Sequence, residues 1–285
     1  MDIVGRRMGR LRRAAGNSPP GGTQCHFDIP YTSLPGVDPG LTSLDIYAPG
    51  EIGYYPILLY VHGGGWGNGD KRNVGAKPGF FVGEGYLFIS VNHRLNPSAW
   101  FPAHLKDLAS SISWVMENAG NYGGDPTNLF IMGSSSGAHL VSTLAMDGSY
   151  LAGEDLRADI LRGVISIDTR AYDIPYLMSN LPRGGGRLYR NTFGSNETAW
   201  AKASPIYYVG DTSPSPPFLI AYSDGDPHRK KQAERFASRL GENDCESTLI
   251  PGPGKKHMEI IRDIGRPGDP VSEKILDFLR GHELR

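Results

Sequence analysis

Ser135 stands at the centre of Gly133-Ser134-Ser135-Ser136-Gly137, a G-x-S-x-G pattern. The apolar run Leu129-Phe130-Ile131-Met132 precedes it, and the helix-compatible stretch Ala138-His139-Leu140-Val141-Ser142 follows. Strand, tight turn and helix in that order are the parts of a nucleophile elbow. Such a turn holds its central residue in a strained conformation, and small flanking residues let the two backbone segments approach. The serine is thereby lifted clear of the sheet edge, at the positive end of the following helix. A chain with 38 glycines can produce this pattern by chance, so it needs company. His62-Gly63-Gly64-Gly65-Trp66 supplies it, after the apolar run Ile57-Leu58-Leu59-Tyr60-Val61. A glycine-rich turn at a strand end leaves backbone N–H groups unshielded by Cβ atoms, and these can converge on an oxyanion. A turn of this type forms one part of an oxyanion hole; the N–H after the nucleophile, here that of Ser136, forms the other.

With these two motifs the chain resembles an α/β-hydrolase of the HGGG-bearing esterase group, near the small carboxylesterases and arylformamidases, whose turn is usually written H-G-G-x-W. The resemblance runs from about residue 42 to the C-terminus. It includes Asn92-His93-Arg94-Leu95, with His93 where the group usually has Tyr. It continues through Phe101-Pro102-Ala103-His104-Leu105-Lys106-Asp107 and Tyr122-Gly123-Gly124-Asp125-Pro126-Thr127-Asn128. Elbows of the group usually read G-H-S-A-G or G-D-S-A-G, so Ser134 and Ser136 are departures that bear on the contacts around the nucleophile. The resemblance implies that Gly64 and Gly65 join Ser136 as oxyanion donors, with Gly63 able to share the work.

A serine hydroxyl is a poor nucleophile at neutral pH and needs a base within hydrogen-bond reach. Of eight histidines, His62 belongs to the glycine turn and His139 to the helix after the elbow, pointing away from the nucleophile. His104 opens a helix whose Leu105, Leu108, Ile112 and Val115 face a core. His26 precedes the first sheet strands and His282 lies in the last few residues. His257 is the strongest candidate: it follows strand-like Ser247-Thr248-Leu249-Ile250 through the Gly/Pro loop 251–256. Loops at strand ends are where a parallel sheet presents catalytic groups. The base in turn requires a carboxylate to hold its tautomer. Phe218-Leu219-Ile220-Ala221-Tyr222 reads as a buried strand running into Ser223-Asp224-Gly225-Asp226-Pro227, where two acids compete. The spacing usual in the resembling group favours Asp226, with Asp224 in reserve. The order Ser135, Asp226, His257 is that of α/β-hydrolases rather than of chymotrypsin or subtilisin.

These residues must be positioned by the elements between them. Segments 24–31, 41–47, 57–61, 86–91, 129–132, 163–167, 218–222 and 247–250 read as strands, and helical patterns alternate with them. That series predicts an α/β fold, a mostly parallel central sheet with helices on both faces. Residues 24–285 are expected to form a single domain. The segment 172–208, with Pro175, Pro182, Gly184-Gly185-Gly186, Tyr189 and Trp200, breaks the rhythm and is the natural place for a small cap; an ordinary crossover with a glycine loop explains it equally well. Trp66, Tyr172, Tyr176 and Tyr189 are candidates to line a compact pocket.

At 285 residues the chain can bury a large core. Its formal net charge of −1 gives no bulk reason to expect nucleic-acid or anionic-membrane binding. The exception is a basic arm over residues 1–23, with Arg6, Arg7, Arg10, Arg12 and Arg13, read chiefly as a solvated leader. No apolar h-region follows the paired arginines, as a twin-arginine signal would need. Cys25 and Cys245 are too few for a disulfide framework, and a cytoplasmic setting is the simplest expectation. The expected function is a serine carboxylesterase cleaving short-chain or small aryl esters through an acyl-enzyme, with a small-molecule ester as its partner and no metal or organic cofactor. Its rivals are an arylformamidase-like amide hydrolase and a hydrolase-fold binding protein that has lost catalysis.

Overall fold

A computed structural model describes residues 22–51, 53–182, 185–211 and 214–284, so nearly all of the basic arm 1–23 lies outside the described residues. Eight strands form one sheet: β1 (Gln24–Pro30), β2 (Ser43–Ala48), β3 (Tyr55–Val61), β4 (Leu87–Val91), β5 (Gly124–Ser134), β6 (Leu161–Ile167), β7 (Phe218–Ser223) and β8 (Ser247–Gly252). Their order across the sheet is β1-β2-β4-β3-β5-β6-β7-β8. β1 with β2 and β2 with β4 pair antiparallel, and every other neighbouring pair is parallel. The helices are α1 (Lys77–Gly83), α2 (Ala103–Asn118), α3 (Ser136–Met146), α4 (Ser149–Ala152), α5 (Ile174–Asn180), α6 (Arg187–Phe193), α7 (Glu197–Lys202), α8 (Pro227–Gly241), α9 (His257–Asp263) and α10 (Pro270–His282). The sheet is mostly parallel, as the alternating pattern predicts, and the architecture is the α/β-hydrolase fold, as the resemblance implies.

The period-2 geometry of a strand explains why the central strands are apolar throughout. In β3, Ile57, Leu59 and Val61 face a cluster that contains Leu105 and Leu108 of α2, Leu140 and Leu144 of α3 and Phe236 of α8. Leu58 and Tyr60 point the other way, into a cluster with Phe81 of α1, Ile260 of α9 and Ile275 of α10. The helices begin where local chemistry dictates. Asp226 caps α8 by accepting the His228 and Arg229 N–H groups, with Pro227 as the first helical residue. Asp269 caps α10 in the same way through Ser272.

Parallel pairing has one consequence for function: the C-terminal ends of β3, β5, β6, β7 and β8 all open on the same edge of the sheet. The glycine turn follows β3, the serine elbow ends β5, and the segment with His257 follows β8. Between β6 and β7 the chain makes a long excursion that carries α5, α6 and α7. Among the described residues no helix is long and apolar enough to cross a membrane.

Candidate active site

Ser135 has φ 55° and ψ −115°, a backbone conformation that costs a non-glycine residue free energy. The surrounding packing enforces it. A Cβ on Gly133 would stand 2.3 Å from the Gly137 carbonyl oxygen, and one on Gly137 would stand 2.3 Å from that of Val61. Only glycine lets strand, turn and helix come this close. The Ser135 N–H donates to the Ile167 carbonyl at 2.8 Å, tying the elbow to the neighbouring strand. Its hydroxyl makes no capping bond to α3, although it occupies the N-cap position.

The glycine turn abuts this elbow. A Cβ on Gly63 would lie 3.0 Å from that of Ser135, while Gly64 and Gly65 take positive φ values of 143° and 63°. Gly63, Gly64, Gly65, Ser135, Ser136 and His257 border one cavity of about 770 Å³. Trp66, the last residue of the motif, is buried and anchors the turn. Its indole N–H donates to His139 Nδ1 at 3.2 Å, and His139 Nε2 donates to the Ala203 carbonyl at 2.6 Å. Burial holds the His139 pKa down to about 4, so the ring stays neutral and keeps Nδ1 as an acceptor. The Trp66 ring also meets Phe193 and Tyr189 edge-on, with centroids 4.8 and 5.8 Å apart. The motif is thereby fastened to the 172–208 segment.

His93, at the position usually held by Tyr, is buried and stacks on His62 with centroids 4.7 Å apart. Burial pushes the pKa of both down. Of the four aromatic candidates for a pocket wall, Trp66 and Tyr189 line the cavity. Tyr172 is instead buried against Phe236 in a stacked pair with centroids 4.6 Å apart, and Tyr176 lies against the Arg235 guanidinium.

His257 opens α9 and is partly exposed to the cavity. Its Nδ1 lies 2.7 Å from Asp168 Oδ2. The carboxylate beside the histidine is therefore Asp168, not Asp226 as the resemblance implied. Asp168 is the residue directly after β6, has φ 59°, and is fully buried. It accepts the Ser223 N–H at 2.7 Å and the Ser223 hydroxyl at 3.0 Å. The register of β6 on β7 places Ile167 opposite Ala221, and the Asp168 N–H donates to the Ala221 carbonyl at 2.8 Å. That brings the residue after β6 level with Tyr222 and within reach of Ser223, so the carboxylate enters from one strand earlier.

Asp226 is occupied elsewhere. Besides capping α8, its Oδ2 accepts two N–H groups of Arg170, one of them from Nε at 2.9 Å, and lies 3.2 Å from Arg229 Nε. Burial would raise its pKa, but the Arg170 and Arg229 cations outweigh that and hold the carboxyl below the usual range. Asp224, the reserve candidate, accepts the Gly254 N–H at 3.0 Å and so braces the loop that leads to His257. The signal for Asp168 was present: an acid directly after the strand-like run Val164-Ile165-Ser166-Ile167, in a chain order, Ser135, Asp168, His257, that fits equally well.

A family model described as BD-FAE matches residues 44–159, the stretch from β2 through the glycine turn and elbow. Esterase LipQ of Mycobacterium tuberculosis is 32% identical over 272 residues, covering 88% of this chain and 61% of that protein. A probable isoprenylcysteine alpha-carbonyl methylesterase of Oryza sativa is 28% identical and covers 83% of this chain and 59% of its own length. The chain thus spans about three fifths of the length of these relatives. Among solved structures, esterase B from Lactobacillus rhamnosis superposes with a TM-score of 0.75 at 20% identity, covering 94% of this chain and 87% of that one. A truncated carbohydrate esterase from gut microbiota gives 0.75 at 22% identity, covering 93% and 99%. The chain has the α/β-hydrolase fold. The relatives and solved structures it resembles here carry esterase names.

Proposed function

We propose that this chain is a serine carboxylesterase that cleaves short-chain or small aryl carboxylic esters through an acyl-enzyme. The observation that carries the reading is the 2.7 Å contact between His257 Nδ1 and buried Asp168, at the cavity whose wall also includes Ser135 and the glycine turn. The esterase names of the relatives support it.

Asp168 accepts the Nδ1–H of His257, which leaves Nε2 as the base and stabilises the imidazolium once it forms. His257 takes the Ser135 proton as Oγ attacks the ester carbonyl. The Gly64, Gly65 and Ser136 N–H groups, with Gly63 able to contribute, bind the tetrahedral oxyanion. His257 then protonates the leaving alcohol, and water repeats the cycle on the acyl-enzyme. The 172–208 segment acts as a cap: Leu181, Pro182, Leu188 and Tyr189 border the cavity, and Trp66 joins that segment to the oxyanion turn.

A fluorophosphonate probe tests this directly. It should label Ser135 in the intact protein, and p-nitrophenyl butyrate should be hydrolysed with loss of activity on labelling. An unlabelled protein would mean a hydrolase fold used only for binding. Faster turnover of N-formylkynurenine than of the nitrophenyl ester would mean an amide hydrolase instead.

A further inference from the structure

Full charge on the cavity wall is confined, among the described residues, to Arg170 and Arg229; no Asp, Glu or Lys lines it. The acids that neutralise these cations do not line the cavity, and each cation is only partly spent. Arg170 directs Nε and one terminal nitrogen, Nη2, at a single oxygen, Asp226 Oδ2. The other oxygen of Asp226 is taken by the backbone N–H groups that open α8. No acceptor among the described residues meets Arg170 Nη1, and the side chain is one-third exposed on the cavity side of the pair. Arg229 donates through Nη1 to the Asp168 carbonyl. Its Nε sits 3.2 Å from Asp226 and 3.6 Å from Asp168 without hydrogen-bond geometry, a buried N–H without a partner. Burial, with Arg170 nearby, lowers the pKa of Arg229 against the opposing pull of Asp168 and Asp226. Thr169, next to Arg170, adds a hydroxyl on the same wall.

A guanidinium with an unspent terminal N–H, reinforced by the charge of a second one beside it, forms a site for a planar anion next to the nucleophile. Resting on the esterase reading, we propose that the preferred ester carries a second, ionised carboxylate, held by Arg170 and Arg229 with Thr169. A carboxylate fits better than a phosphate. The two arginines are already balanced by Asp168 and Asp226, so one added negative charge is tolerable where two would be opposed by both acids. The rest of the wall, with Leu181, Leu188, Met258 and Ile261, is apolar and suits a short methylene spacer between ester and carboxylate. The substrate class is then a half-ester of a dicarboxylic acid or an acylated hydroxy acid.

Two matched pairs test this: methyl hydrogen glutarate against methyl pentanoate, and 4-acetoxybutyrate against butyl acetate. The first pair puts the carboxylate on the acyl side and the second on the alcohol side. Binding is measured calorimetrically to Ser135→Ala protein, and turnover of the neutral esters by the wild-type enzyme in a pH-stat. In one pair the carboxylated ester should bind roughly tenfold or more tighter than its neutral partner, the scale of one or two charged hydrogen bonds. The double variant Ser135→Ala/Arg170→Gln should bring that ratio to near one. Equal or weaker binding of both carboxylated esters overturns the proposal, as does a preference that survives Arg170→Gln. Failure of the esterase reading would appear separately, as no turnover of any neutral ester.

Discussion

The loops after β6 and β7 both carry acids to the edge of the sheet that bears the cavity, yet they serve different ends. The β6 loop presents Asp168, fully buried, with Ser223 and His257 as its partners. The β7 loop presents Asp224 and Asp226, which are spent on backbone: one braces the loop before His257, the other opens α8 and gathers Arg170 and Arg229. A carboxylate that orients a histidine must be desolvated and must have one oxygen left for the ring. A carboxylate at a helix N-terminus is already committed to orphan N–H groups. Strand ends therefore nominate candidates, and the prior commitments of each acid choose among them.

The largest effect sets the floor for this comparison. Ser135→Ala should lower kcat by about six orders of magnitude with the fold retained, measured with p-nitrophenyl butyrate and circular dichroism. Retention of a tenth of the activity would move the nucleophile elsewhere and remove the reason to compare the two loops at all.

The two acids come next. Asp168→Asn should lower kcat by about four orders of magnitude, because an amide favours the wrong histidine tautomer. Asp226→Asn should cost less than about tenfold in kcat and lower stability by about 1 kcal/mol through the weakened α8 cap, read from urea unfolding. The reverse ranking would break the comparison and restore Asp226 to the histidine.

A third measurement extends the contrast from acids to histidines. His257 is partly open to the cavity, whereas His62, His93, His104 and His139 have pKa values pushed down by burial, His104 and His139 to about 4. Between that value and the ordinary 6.5 the unfolded chain binds protons that the folded one refuses. Stability should thus be full above pH 6.5 and fall as the pH drops toward 4. The loss is up to about 1.4 kcal/mol per pH unit for each such histidine. Unfolding midpoints between pH 7 and 5 check this, and His139→Gln should flatten the slope. A midpoint independent of pH would mean that these rings are accessible to protons while folded.

The smallest effect concerns the 172–208 segment. It offers short helices rather than a broad apolar lid, and each buried methylene adds only about 0.8 kcal/mol. Among neutral p-nitrophenyl esters, kcat/KM should peak from acetyl to butyryl and fall by octanoyl. A profile rising through decanoyl, or activation at an oil–water interface, would show that α6 and α7 bury long chains after all.

Much of this protein was legible in its residues alone. The elbow, the glycine turn and the eight strands are local: short-range sterics confine glycine-rich turns to strand ends, and period-2 burial makes strands apolar, so both are written in consecutive residues. His257 could be singled out as a candidate because it follows the last strand-like run through a Gly/Pro loop, while His62, His104 and His139 sit in turn or helical contexts. Only the tertiary structure decided which acid lies beside His257. Asp168 and Asp226 both follow strands, and both lie between Ser135 and His257 in the chain. What separates them is the register of β6 on β7, the pairing of Asp226 with Arg170, and the cap that Asp226 makes on α8. The cap is local, an Asp before a Pro that opens a helix, but the register and the Arg170 pair join residues tens of positions apart, and no local pattern encodes them. The inward placement of Tyr172 against Phe236, where pocket and core were equally open to it, has the same cause: an aromatic ring is as fit for a core as for a cavity wall, and only packing assigns it.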